Sequence, residues 1–228
     1  MKMAINGAFS AIALGVTIVL ESWSFLMPHV NPMDSLILVN KDHKAPSVPV
    51  TLVKPSVSPC EERIKDNIYM RPDAAHALEQ MFDDAKKEGI YLYARSGYRS
   101  YSTQKAIYGR KQRRDYGISS VAKPGFSEHQ TGLAMDFEGK STLGRGLIEE
   151  IGTSPEGIWV AQHCSEYGFI IRYPKGSEKI TGYIYEPWHV RYVGVEAAKT
   201  ITRLGITFEE YIQFLRSERL DQCNEETP

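Results

Sequence analysis

Two short stretches gather the residue types that do hydrolytic chemistry: SEHQTGLAMDF, which holds His129 and Asp136, and EPWHVRY, which holds Glu186 and His189. Two imidazoles and one carboxylate make a donor set suited to Zn²⁺ with its fourth position open to water, the arrangement of catalytic rather than structural zinc. His129 and Asp136 lie an odd number of positions apart, so a straight strand would point them to opposite faces. The Thr131-Gly132 pair between them supplies a bend that lets both converge. Glu186 and His189 are three positions apart with Pro187 between them, which brings both side chains to one side of a single turn. Beside such a centre, Glu186 is placed to take a proton from attacking water and return it to a departing amine. Each residue also has an ordinary reading: a histidine satisfied by a hydrogen bond in a core or at a surface, an aspartate holding a turn. Spacing alone leaves both open.

The elements that must position these residues follow from periodicity and punctuation. A helix is expected from Pro72 to Lys87, with Pro72 in its first turn, Leu78, Phe82 and Ala85 on one face and Gly89 just past its end. The alternation of Ile90, Leu92 and Ala94 against Tyr91, Tyr93 and Arg95 predicts a half-buried strand from Ile90 to Ser96. A second helix is expected from Ser102 towards Asp115, with Arg110, Lys111, Arg113 and Arg114 as a solvated basic surface. An anionic wall polymer or lipid headgroup is the competing partner for that surface. A third helix, Pro155 to Tyr167, has Thr153 and Glu156 at capping-box spacing and Gly168 as its stop. Short strands around Leu133–Phe137, Phe169–Arg172 and His189–Val193 and closing helices near Val195–Leu204 and Thr207–Ser217 complete an α+β pattern.

Composition narrows the function classes. With 228 residues, 27 basic and 28 acidic, the chain carries a formal net charge of −1, which excludes the broad basic footprint of a nucleic-acid binder. The three cysteines, Cys60, Cys164 and Cys223, show no CxxC spacing and indicate neither a disulfide framework nor a thiolate zinc knuckle. A single Cys60–Cys164 or Cys164–Cys223 bridge is left open. The run from Ala4 to Leu20 is uncharged and apolar, and Trp23, Phe25, Leu26 and Met27 extend it beyond Glu21. No small-x-small cleavage site follows Leu20, so residues 1–27 read as an uncleaved membrane anchor rather than a signal segment removed after export. Either reading puts the rest of the chain outside the cytoplasm. Residues 28–59, rich in proline, read as an extended stalk and lead-in, and residues 60–228 as one catalytic domain.

Three segments, SGYRSYSTQKAIY (Ser96 to Tyr108), GFSEHQTGLAMDF (Gly125 to Phe137) and EPWHVRYVG (Glu186 to Gly194), together resemble the VanY-type D-alanyl-D-alanine carboxypeptidases of the LAS metallopeptidase group. LILVNKDH (Leu36 to His43) resembles the stretch that leads into the domain in that family, so the likeness runs from about Leu36 to Thr207. The resemblance implies that His129, Asp136 and His189 ligate zinc and that Glu186 is general base and acid. It implies that Arg99 polarises the scissile carbonyl and stabilises the oxyanion, a role a fixed guanidinium suits. It further implies that Ser127 and Gln104 contact the terminal D-residue and that Trp188 lines the pocket. From the residues alone, Ser127 could hold a turn, Gln104 could cap the second helix and Trp188 could be core.

The fold so implied is a small, mostly antiparallel sheet flanked by helices, with one zinc ion at an end of the sheet in an open cleft. The implied activity is removal of terminal D-alanine from peptidoglycan stem pentapeptides by an outward-facing, membrane-anchored enzyme, in wall maturation or in glycopeptide resistance. No protein partner is indicated. An L,D-carboxypeptidase or a peptidoglycan endopeptidase uses the same motifs and is the nearest alternative. A wall-binding module without activity, or an anchored sensor of stem peptides, would not need Glu186.

Overall fold

The computed structural model describes residues 35–46, 51–113 and 121–225. Its elements in chain order are helix α1 (Pro72–Lys87), strand β1 (Leu92–Ser96), helix α2 (Tyr101–Arg113), strand β2 (Ala134–Gly139), helix α3 (Pro155–His163), strand β3 (Phe169–Ile171), a short helix α4 (Glu178–Thr181), strand β4 (His189–Tyr192), and helices α5 (Val195–Leu204) and α6 (Phe208–Glu225). The four strands form one sheet in the order β1-β2-β4-β3, and every neighbouring pair is antiparallel. This is the expected α+β architecture of a small antiparallel sheet flanked by helices.

Strand alternation divides the labour of the sheet. Met135 and Phe137 of β2 and Val190 of β4 enter a core with Leu92, Ala94 and Phe169, covered by Leu78, Met81 and Phe82 of α1 and Trp159 and Val160 of α3. The residues between them, Asp136 and Glu138 on β2 and His189 and Arg191 on β4, therefore face the other way. They are buried too, at 0–3% exposure, so this second face holds charge out of solvent. A second apolar cluster joins Ile170 and Val193 to Ala198 and Ile201 of α5 and Phe208, Tyr211 and Ile212 of α6.

Several boundaries differ from expectation for identifiable reasons. Strand β1 starts at Leu92 because Ile90 is still engaged in ending α1, its N–H donating to Ala85 O at 2.9 Å after Gly89 adopts φ +80. Helix α3 stops at His163 and continues to Tyr167 as a 3-10 turn before Gly168. Its cap is Ser154, whose Oγ accepts from Gly157 N at 3.1 Å. Thr153 and Glu156 do not form the expected capping box: the Thr153 hydroxyl donates to Glu150 O, and Glu156 accepts from the backbone and hydroxyl of Ser141. Ser154 wins because it directly precedes Pro155, which sits at the first helical position.

Residues 35–46 and 51–59, expected as stalk and lead-in, lie on the domain. Val39 is fully buried, and Leu36 and Leu38 pack against the α5–α6 cluster. Val53 pairs with Met70 and Pro59 with Ala94 in isolated bridges. The folded unit thus starts ahead of residue 60. Residues 1–27, the expected anchor, lie outside the described residues, and among those described no helix is long and apolar enough to cross a membrane. Cys60 and Cys164 are both free thiols, so the Cys60–Cys164 bridge is absent.

Candidate active site

Asp136 and His189 are brought together by sheet register. They are direct partners across the antiparallel β2–β4 pair, which sets their side chains side by side on one face. His189 Nδ1 lies 3.1 Å from Asp136 Oδ1. On the other flank β1 carries a bulge at Arg95, so that Ser96 rather than Arg95 stands opposite Asp136.

His129 reaches the same point by the bend expected at Thr131-Gly132. It sits in a 3-10 turn, Glu128–Thr131, closed by Gly132 at φ +72. The backbone angle demands glycine, and a side chain at Gly132 would also have to displace Leu52 Cδ2, 2.8 Å away. Backbone bonds lock the turn to its neighbours: Arg99 N donates to His129 O at 3.0 Å and Arg71 N to Gly132 O at 2.9 Å. His129 Nε2 then lies 3.4 Å from Asp136 Oδ1.

The ring of His129 has a fixed tautomer. Its Nδ1 is 2.7 Å from Gly97 O, and a carbonyl can only accept, so Nδ1 carries the proton and Nε2 is left with a lone pair facing Asp136. One donor atom from each of His129, Asp136 and His189 falls within 4.8 Å of the others, all three residues being buried. Two nitrogens and one carboxylate oxygen, converging in this way and held from behind, fit a zinc ion of the catalytic type.

Glu186 stands in the turn before β4, where His189 N donates to Glu186 O at 3.1 Å, and its Oε2 is 3.9 Å from His189 Nδ1. Burial, with Asp136 adding to it, raises the Glu186 carboxyl to about 7, against the opposing pull of His189, Arg99 and Lys111. Burial pulls the other way at His189, but hydrogen bonds to Asp136 and Glu128 outweigh it and raise the imidazole to about 9. Burial and the Arg99 charge lower His129 to about 4. Asp136 is held well below the usual carboxylate range: His129 and Arg99 overcome the cost of its burial.

Arg99 lies in the site but is shared. Its Nε donates to Ser96 Oγ at 2.9 Å and its Nη2 to Asp136 Oδ2, the oxygen turned away from the histidines. Ser127, Gln104 and Trp188 line one cleft of about 420 Å³ with His129, Asp136, Glu186 and His189. Trp188, at 8% exposure, also belongs to the main core, so pocket wall and core are one residue. Gln104 does not cap α2: Ser100 Oγ does, accepting from Thr103 N at 3.1 Å, while Gln104 Nε2 donates to Ala122 O at 2.7 Å. Of the basic residues on α2, Arg110 is exposed and Lys111, half-buried, lines the cleft, while Arg114 lies outside the described residues.

Sequence reasoning missed two groups here. Tyr183 also lines the cleft, and its hydroxyl, like Gln104 Oε1, is buried with no hydrogen-bond partner among the described residues. Glu128 lies between two fully buried arginines, Arg172 and Arg191, at 2.7 Å from each. The signal for the second group was present in the sequence: an arginine inside each apolar strand run, FIIRY and HVRYV, needs a buried counter-charge.

The family model for VanY, D-alanyl-D-alanine carboxypeptidase, matches residues 67–195, more than half of the chain. The chain is 49% identical over 193 residues to the putative carboxypeptidase YodJ of Bacillus subtilis, covering 80% of this chain and 68% of that protein. Among solved structures it is similar to the LdcB LD-carboxypeptidase, with TM-score 0.73, 48% identity and coverage of 80% of this chain and 87% of that one. It is also similar to a mutant of the D,D-pentapeptidase VanY from a VanB-type resistance cassette, solved with Zn(II), with TM-score 0.65, 33% identity and coverage of 78% and 99%. It spans 48% of the length of the Enterococcus faecium D-alanyl-D-alanine carboxypeptidase and 65% of the Enterococcus faecalis one. The chain belongs to the VanY family of D-alanyl-D-alanine carboxypeptidases.

Proposed function

We propose that this protein is a zinc-dependent carboxypeptidase that releases the C-terminal D-alanine from peptidoglycan stem peptides, with pentapeptides ending in D-Ala-D-Ala as its substrate. The observation that carries this reading is the convergence of His129 Nε2, Asp136 Oδ1 and His189 Nδ1, with the Glu186 carboxyl 3.9 Å from His189. Zinc held by those three residues would polarise the scissile carbonyl and acidify water.

The chain's own groups do the rest. Glu186 stands in the cleft beside His189, placed to take the proton of the attacking water and hand it to the leaving amine. Arg99 is fixed by Ser96 and Asp136, and a guanidinium has five N–H donors, so it can still face the developing oxyanion. Gln104 Oε1 and Tyr183 OH, without a hydrogen-bond partner among the described residues, offer polar partners with Ser127 to a peptide end in the cleft. An open cleft suits the flexible end of a large polymer, and the apolar segment 1–27 would hold the enzyme outside the membrane beside that polymer.

A second reading, an L,D-carboxypeptidase trimming tetrapeptides, is favoured by the higher identity to LdcB, 48%, than to the zinc-bound VanY, 33%. Incubating the protein with zinc and defined muropeptides, with mass spectrometry of the products, separates the two. Loss of one alanine from pentapeptide alone supports the first reading, and loss from tetrapeptide the second. Cleavage of neither, nor of a cross-linked dimer, would contradict a peptidase.

A further inference from the structure

The carboxylate of Glu128 has its two oxygens assigned to different tasks. Oε1 accepts from Arg172 Nε at 2.7 Å and from Arg191 Nη1 at 2.7 Å, while Oε2 lies 3.3 Å from His189 Nε2. Glu128 is 1% exposed, Arg172 and Arg191 0% and His189 3%, so water does not compete for any of these bonds. With Oε1 taken by two guanidinium donors, Oε2 faces the imidazole as an acceptor. The proton between it and the imidazole therefore belongs to His189 Nε2.

We propose that Glu128 is a positioning residue for the metal site: by accepting from His189 Nε2–H it fixes the ring's tautomer and rotation, so that Nδ1 is the nitrogen presented beside Asp136. This rests on the zinc-ligand reading above. The hold on Glu128 is itself anchored at a distance. Arg172 makes two further bonds to Glu209 of α6, at 2.9 and 2.6 Å, and Arg191 Nη2 donates to the carbonyls of Ser35 and Ile37, at 2.9 and 2.8 Å. The orientation of one ligand is thus tied through buried charge to the C-terminal helix and to residues 35–37. Such carboxylate partners of ligating histidines commonly change metal affinity by about 10- to 100-fold.

The test is a long-range ¹H–¹⁵N correlation spectrum of the wild-type protein, labelled at histidine and loaded with zinc, assigned with His129→Ala and His189→Ala. The expected result is a His189 with its metal-shifted nitrogen at Nδ1 and a proton on Nε2. Metal bound through Nε2 overturns the proposal. A companion variant, Glu128→Asp, keeps the charge between the arginines but draws the carboxylate back by one methylene. Its zinc affinity, read by chelator competition, should fall by about 10- to 100-fold, and a folded variant with wild-type affinity would overturn the proposal. Where that variant does not fold, the wild-type spectrum decides alone. A wild type that binds no zinc removes this proposal and the zinc reading together.

Discussion

At the scale of single residues, the site works by giving each polar atom one task. His129 spends Nδ1 on the Gly97 carbonyl at 2.7 Å and keeps Nε2 for the cluster. Asp136 divides its oxygens, Oδ1 towards both histidines and Oδ2 towards Arg99. Removing one imidazole leaves two donors, too few to hold catalytic zinc, so His189→Ala and His129→Ala should each lose bound metal in elemental analysis after dialysis. Retention of stoichiometric zinc by both would contradict the ligand assignment. Cys60 and Cys164 have no part in this chemistry. Burial, reinforced by Glu138, raises the Cys60 thiol to about 11, and burial raises Cys164 to about 12. The reactive thiolate is populated only as pH climbs towards those values. Iodoacetamide at pH 8 should therefore leave Cys164 unmodified in the native protein and modify Cys60 far more slowly than a free thiol, as read by peptide mass spectrometry. Rapid labelling of Cys164 would contradict its buried, unionised state.

At the scale of elements, cross-strand register and a tight turn do the positioning. The bend at Thr131-Gly132 was legible because His129 and Asp136 could not otherwise share a face, and the structure builds it with Gly132 at φ +72. Gly132→Ala would put a methyl 2.8 Å from Leu52 Cδ2 at an unfavourable backbone angle. It should cost about 1–3 kcal/mol of stability in denaturant unfolding and weaken zinc binding through displaced His129. A variant as stable as wild type would show that the turn is not strained. The cap of α3 was misread because Thr153 and Glu156 match a spacing pattern that does not weigh Pro155. Ser154→Ala should cost about 1 kcal/mol, whereas Thr153→Ala should cost less, and the reverse order in thermal unfolding would restore the capping box. The start of β1 was misread for a related reason. Ile90 fits the alternation of the strand, but its N–H is needed to close α1.

For the whole molecule, most of the legible information was local and most of the missed information was long-range. The helices and strands follow from periodicity, and His129, Asp136, Glu186 and His189 from two short stretches. The pairing of Glu128 with Arg172 and Arg191 spans 44 and 63 positions, and nothing local indicates which carboxylate those arginines meet. The same holds for residues 35–46: proline content suggested a stalk, but Leu36 and Leu38 cover the α5–α6 cluster and the carbonyls of Ser35 and Ile37 satisfy Arg191. A chain starting at residue 51 would leave that guanidinium short of two acceptors in a buried place. It should unfold at lower temperature than one starting before residue 35, by an amount on the order of 2–5 kcal/mol in stability. Equal stability of the two would mean that the lead-in is an independent segment.

The central claim, that metal and general base are separate parts of one hydrolytic site, is tested most directly by the turnover of Glu186→Gln at verified zinc occupancy. The account predicts full zinc content with kcat on the released-alanine assay lower by about 10²- to 10⁴-fold, because the proton acceptor is gone while all three ligands remain. Near-normal turnover at full occupancy would contradict it and assign the proton transfer to another group.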